Sequence, residues 1–290
     1  MIRIGVAGWD YPDWSGVVYP LDAGRRLDRL SYLSDFVDLV EINSSFYRPV
    51  EPRVAESWIR RTERHPDFRF TAKAHRSWSH ERGPDLELDV RRTLHGLQPL
   101  LDAGRLGALL IQFPQSARFR PALRERADRL IELCRHWPVV IEVRHASWSA
   151  DEASDWFSRR SVGWCVVDQP AAGPSTLGRL VRVTSPLAYL RLHGRNVANW
   201  FRPDAGRDAR YDYLYSATEL APIAATARAL ADRSAQLFVV QNNHFRGQAL
   251  VNALQLKRLL QHTIPAAPGP LVAAYPELAG QVATRERGLF

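Results

Sequence analysis

Eight short runs of β-forming residues recur along the 290-residue chain, most of them separated by a stretch with helical spacing, and no other feature restricts the fold so strongly. The runs are residues 2–7, 39–43, 68–74, 108–113, 139–144, 163–168, 187–193 and 236–242. Helical periodicity is clearest in 86–103, in 121–136 with Pro121 at the first position, in 218–231 and in 248–261. Segments 25–36, 52–64 and 151–159 fill the earlier gaps. Strand–helix alternation of this kind implies parallel strands with right-handed crossovers, and eight such units are what a closed barrel needs. The expected fold is therefore α/β, a TIM-barrel-like (β/α)8 barrel of eight parallel strands. It is expected to form one domain over 1–290, with about 262–290 a C-terminal surface tail marked by Pro265, Pro268 and Pro270. The weakest unit is the sixth, where 169–186 is rich in Gly and Pro. An open doubly wound sheet is the alternative, but Gly5 and Gly8 lead into Trp9 rather than a glycine-rich phosphate turn.

Alternation within the strands separates their two faces. Val40 and Ile42 oppose Glu41 and Asn43; Phe68 and Phe70 oppose Thr71, Lys73 and His75; Ile141 and Val143 oppose Glu142 and Arg144; Leu190 and Leu192 oppose Arg191 and His193. Helices cover the outside of a barrel, so the apolar phase must face outward and the polar phase must face the lumen. The same reasoning places Gln112 and Asp168 inside. Buried charges need partners, so part of this set can be scaffolding. Its position at the C-terminal strand ends, where barrel enzymes carry their sites, points to function. Glu41, Lys73, Glu142, Asp168 and His193 are the candidate catalytic residues, with Arg144 and Arg191 neutralising substrate charge.

The loops after the strands carry Trp9, Tyr11, Trp14, Tyr47, Trp78, Trp148, Trp200, Phe201, Tyr211 and neighbouring aromatics, interleaved with arginines that include Arg195. Stacking faces beside guanidinium groups suit sugars, nucleobases or single-stranded polynucleotide, and a lid packed against itself is the structural alternative. The loop 194–217 is the longest and is the expected lid. His75, His145, His193 and His244 follow strand ends, as does Asn242. No HxH or HExxH spacing occurs, so no cofactor and no metal site is expected; a divalent metal held by these histidines with Glu41, Glu142 and Asp168 is the minority alternative.

The net charge of +8 suits anionic partners, yet of 39 Lys and Arg residues only Lys73 and Lys257 are lysines, a skew that genome composition alone can produce. An inward-facing lysine in such a chain suggests a task for a compact ammonium: holding a phosphate or carboxylate, or acting as a nucleophile. Cys134 and Cys165 show no CxxC spacing, no segment reaches transmembrane length, and no signal peptide opens the chain, so a cytoplasmic protein without membrane association is expected.

The motifs GWDYPDWSG (8–16) with Tyr19-Pro20, VEINSSFY (40–47), FRFTAKA (68–74), LIQFP (110–114), IEVRHASW (141–148), YLRLHGR (189–195) and NNHFRGQALVNAL (242–254) together resemble the YecE-like family, also called domain of unknown function 72. They run in order up to about Leu260. The resemblance implies a TIM-barrel-like fold without an established reaction, and the family's barrel has been likened to endonuclease IV and sugar-isomerase barrels. This chain lacks the dense His/Asp/Glu cluster of a trinuclear-zinc nuclease. Three functions follow as expectations: an enzyme (hydrolase, lyase or isomerase) acting on a small anionic or sugar-like substrate by general acid/base chemistry; a nucleic-acid binder or metal-assisted phosphodiesterase; and a non-catalytic metabolite receptor.

Overall fold

The computed structural model describes the chain except residues 82–84, 172, 201, 203 and 286–290 and the side chains of residues 23, 25 and 207. Eight parallel strands close into one barrel: β1 (Ile2–Ala7), β2 (Leu39–Ile42), β3 (Arg69–Lys73), β4 (Leu106–Gln112), β5 (Val139–Glu142), β6 (Gly163–Asp168), β7 (Leu187–Leu192) and β8 (Gln236–Gln241). Pairing of β1 with β8, Ile4 opposite Val239, shuts the ring. Several strands end one or two residues earlier than their sequence pattern suggests. Asn43, Arg144, His193 and Asn242 therefore project from the first residues of the loops rather than from the sheet.

Helices Pro52–Arg61, Leu86–Asp102, Pro121–Leu133, Asp151–Arg159, Ala217–Ala231 and Gln248–Gln261 cover the outside. Two of them open on Pro at the first position, where the missing N–H costs no intrahelical bond, and Ala217–Ala231 opens on a capping box between Ser216 and Glu219. The first crossover is short, a 3-10 stretch Leu21–Arg26 followed by helix Arg29–Leu33. In the sixth crossover, the described residues between β6 and β7 form no helix. His145 bridges to Thr176 there, and the Thr184 hydroxyl donates to Val162 and accepts from the Trp164 N–H, tying the irregular chain to the barrel wall.

The outward phase of the strands packs with the helices into one large apolar cluster, while a second, smaller cluster fills the lumen: Ala7, Leu39, Ala108, Leu110, Val140, Cys165, Val167, Tyr189, Phe238 and Val240. Gly107 is needed for that filling, since a Cβ there would stand 2.4 Å from the Phe238 ring. The lumen is thus packed solid below and polar above. After β8 and its helix, residues Ala266–Pro268 (β9) and Ala283–Arg285 (β10) pair in parallel around the short helix Gly269–Ala274. Among the described residues, no helix is long and apolar enough to cross a membrane.

Candidate active site

Directly above the apolar filling, inward residues of β2, β3, β4, β5 and β7 form one connected polar layer. Arg191, 1% exposed, is its centre: its guanidinium donates to Glu41 at 2.6 and 3.0 Å, to Glu142 at 3.0 Å and to Gln112 at 3.4 Å. Glu41 also accepts from the Tyr189 hydroxyl at 2.9 Å, and Thr71 lies 2.8 Å from the same hydroxyl. Arg144 holds the other side of Glu142, 2.6 Å away, and reaches His193 Nε2 at 3.1 Å. A guanidinium can only donate, so Nε2 is an acceptor and the imidazole proton sits on Nδ1. The 3.5 Å approach of Nε2 to Glu142 is then not a hydrogen bond, and the Asn242 amide, whose nitrogen stands 2.9 Å from Nδ1, must turn over so that its oxygen accepts there.

Charge and burial set the proton states. Burial alone would raise the Glu142 carboxyl, but Arg144 and then Arg191 hold it well below the usual carboxylate range. Burial pulls the Arg191 guanidinium down, yet Glu41 and Glu142 keep it well above its ordinary value. His193 is pushed down to about 3 by burial and by the two arginines, so its ring is neutral at any ordinary pH. Lys73 is pushed down to about 7, chiefly by burial and then by Arg191. Among the described residues Lys73 forms no ion pair; its ammonium lies 4.2 Å from the centre of the Phe46 ring.

A cavity of about 570 Å³ opens onto this layer, with Lys73 and Arg191 in its floor. Asn43, Ser44 and Asn242 add polar atoms, Trp9, Tyr11, Tyr47, Tyr211 and His244 form much of the wall, and Asp10 and Arg210 add charge. The first loop owes its shape to Gly8, which has φ +76 and leaves room for the Tyr11 hydroxyl that donates to Ala7 at 2.6 Å. Tyr11 stacks on His244 at 4.3 Å and the ring of Tyr211 lies 5.1 Å from the same imidazole, so the loops after β1, β7 and β8 are joined by aromatic contacts around the cavity.

Comparison with known proteins places this architecture. Residues 3–273 match the model of a family described as "Protein of unknown function DUF72". The chain belongs to the DUF72 family. A curated relative, the UPF0759 protein YunF of Bacillus subtilis (strain 168), is 30% identical over 281 residues, covering 90% of this chain and 95% of that protein. Among solved structures, a DUF72 protein of Thermotoga maritima MSB8 is 33% identical with a TM-score of 0.78, covering 90% of this chain and 99% of that one. A DUF72 protein of Enterococcus faecalis V583, 23% identical with a TM-score of 0.80 over 90% of this chain and 96% of that one, shares the fold.

In this DUF72 protein the residues singled out by sequence divide into three groups. Glu41, Lys73, Gln112, Glu142, Arg144, Arg191, His193 and Asn242 meet in the polar layer, and Trp9, Tyr11, Asn43 and Tyr47 reach the cavity. Asp168 does not face the lumen, contrary to expectation: its neighbours Cys165 and Val167 take the inward phase, and Asp168 binds Arg195 at 2.8 Å, Arg179 at 3.2 Å and the Tyr215 hydroxyl at 2.8 Å. Arg195 is thereby an anchor of the long loop, not a cavity residue. The third group is structural. His75 and His145 each cap a 3-10 turn by accepting the N–H of Ser77 or Ser147, and the following Trp78 and Trp148 are fully buried, as is Trp14, so none of these tryptophans covers the cavity.

Phe201 lies outside the described residues. Trp200 sits edge-on to His193 at 5.9 Å, with Arg144 5.8 Å from its ring, so the long loop does roof the polar layer. Among the described residues, no three His, Cys, Asp or Glu side chains are grouped to hold a metal ion. Sequence reasoning missed Tyr189 and Arg210. Tyr189 shares the inward phase of Arg191 and was open to the same alternation argument, whereas nothing local distinguishes Arg210 from the other arginines of its loop.

Proposed function

We propose that the cavity is the active site of an enzyme that binds a small anionic, hydroxylated molecule and acts on it by general acid/base chemistry centred on Lys73. The observation that carries this reading is the imbalance in the buried layer: three cations, Lys73, Arg144 and Arg191, face two carboxylates, Glu41 and Glu142, and the arginines already engage both carboxylates. The unmatched charge is the one that faces the cavity, where a phosphate or carboxylate would complete the balance. A cavity of about 570 Å³ fits a metabolite. Trp9, Tyr47 and Tyr211 offer faces for the apolar side of a sugar-like skeleton. Of the inward groups, Lys73 titrates near neutrality, as a proton carrier should, whereas His193 stays neutral and Glu142 stays charged.

The test is a thermal-shift panel of inorganic phosphate, sugar phosphates and small carboxylates, run on the wild type and on Lys73→Met. A bound anion at a hundred times its Kd stabilises by about 2.7 kcal/mol, enough to raise Tm by several degrees. The expected result is a rise in the wild type that Lys73→Met abolishes, followed by turnover of the responding compound. An equal rise in the variant, or no response to any anion, overturns the proposal.

A further inference from the structure

We infer that Lys73 is an imine-forming nucleophile, whose amine condenses with the carbonyl carbon of a small anionic aldehyde or ketone seated in the cavity. The inference rests on the reading of the cavity as an anion site and takes it one step further, from a charge to a covalent bond.

The two lysines of the chain make the contrast. Lys257 is placed as a charge: its ammonium lies 2.7 Å from Asp38, near the N-terminal end of the barrel, and donates to the Phe36 carbonyl. Lys73 is placed at the C-terminal end of β3, in the floor of the cavity, and the carboxylates nearest in the layer are committed elsewhere. Glu41 is taken by Arg191 and Tyr189, and Glu142 by Arg144 and Arg191. A lysine kept beside a fixed guanidinium, with no carboxylate of its own, is the arrangement that releases a proton and exposes a lone pair. Its depression to about 7 leaves roughly half of the side chain as free amine at neutral pH, against about one part in three thousand for an ordinary lysine.

The step balances without an oxidant or a reductant. The Lys73 ammonium first gives up a proton to solvent. The nitrogen lone pair then attacks the carbonyl carbon, the C–O π pair moves to oxygen, and a proton passes from nitrogen to oxygen to give a carbinolamine. Cleavage of the C–OH bond, with return of one proton, releases water. The net change is ammonium plus carbonyl to protonated imine plus water, with one positive charge on each side. The protonated imine is an electron sink that favours loss of a proton or a carbon substituent at the adjacent carbon. The fixed positive charge of Arg191, which also lines the cavity floor, favours a substrate that carries an anionic group.

The full chain is treated with cyanoborohydride and either formaldehyde, which reports intrinsic amine reactivity whatever the natural substrate, or pyruvate and dihydroxyacetone phosphate, which carry the anion. Peptide mapping then separates Lys73 from Lys257 and the N-terminal amine. With formaldehyde at pH 7, Lys73 is expected to react roughly tenfold or more faster than Lys257, with a rate that levels off above about pH 7. With the anionic carbonyls, the adduct is expected on Lys73. Lys73→Arg keeps the charge and should lose the adduct while retaining any anion-dependent rise in Tm. Formaldehyde labelling of Lys73 no faster than of Lys257 overturns the inference. If the rise in Tm persists in that case, the anion site still stands; if it is absent as well, both readings fall.

Discussion

Lys73 and Arg191 bring like charge into one cavity floor, yet their removal should have opposite consequences for stability. Arg191→Met strands Glu41 and weakens the hold on Glu142, both fully buried, and loss of one partner of a buried pair costs about 3–5 kcal/mol. Lys73→Met removes a charge that burial already opposes and breaks no ion pair, so Tm should stay level or rise, as expected where a site is held at some cost to the fold. The pH dependence separates the two variants further. The folded pKa of Lys73 lies below the 10.5 of the free side chain, so between about pH 7 and 10.5 the unfolded chain holds the extra proton and stability rises with pH. The contribution approaches about 1.4 kcal/mol per pH unit within that window. Urea unfolding at pH 7, 8 and 9 should show that slope in the wild type and lack it in Lys73→Met; equal slopes would refute the assignment. The inward set was legible in sequence wherever a strand alternates, as in Leu39-Val40-Glu41-Ile42. It was illegible in β6, where Gly163-Trp164-Cys165-Val166-Val167-Asp168 has one charged residue at its end and no alternation to fix its phase. Asp168 was misplaced for that reason.

At the scale of elements, the turns after β3 and β5 repeat one device, His-x-Ser-Trp, in which the His ring caps the turn and the Trp is driven into the outer core. An aromatic residue after a strand end looks the same in sequence whether it faces a cavity or the helix layer, and the 3-10 turn that decides between them leaves only this four-residue trace. The eight barrel strands and the long covering helices, by contrast, followed from periodicity, and the Gly/Pro-rich sixth crossover was visible as the one without a helical pattern. His145 accepts at Nδ1 from the Ser147 N–H and from the side of the Ser147 hydroxyl, which requires an unprotonated nitrogen. Burial, and then Arg118, lowers its pKa. A depressed pKa gives stability that is present above the unfolded value near 6.5 and is lost as pH falls. His145→Ala should therefore cost about 1 kcal/mol at pH 8 and less at pH 5, as a lost cap does. It should leave the binding of any anion unchanged. A large loss of binding in this variant would instead return His145 to the site.

For the whole molecule, the prolines of the C-terminal stretch mark a tail on the barrel's surface, but composition does not say what that tail covers. Its described part packs on the barrel. Leu271 and Leu278 are both 0% exposed, Leu271 lies beside Gly247 with Val17 and Val18, and the Tyr275 hydroxyl donates to the Arg246 carbonyl at 2.7 Å. Gly247 and Arg246 belong to the loop after β8, three and two residues from His244 in the cavity wall, so the tail props one side of the site from outside. The family match ends at residue 273, between the two leucines, and the two halves of the tail can be removed separately. Deleting 276–290 exposes what Leu278 covers and should cost about 2 kcal/mol, whereas deleting 263–290 removes both leucines and should cost roughly 4 kcal/mol. The longer deletion should also weaken anion binding, since Arg246 loses its hydrogen bond from Tyr275 and Gly247 its cover, while Lys73 and Arg191, fixed by strands, stay in place. Denaturant melts of the two truncations, paired with the thermal-shift response of each, separate these effects. A 263–290 deletion that melts like the full chain would show that the barrel stands without its C-terminal stretch.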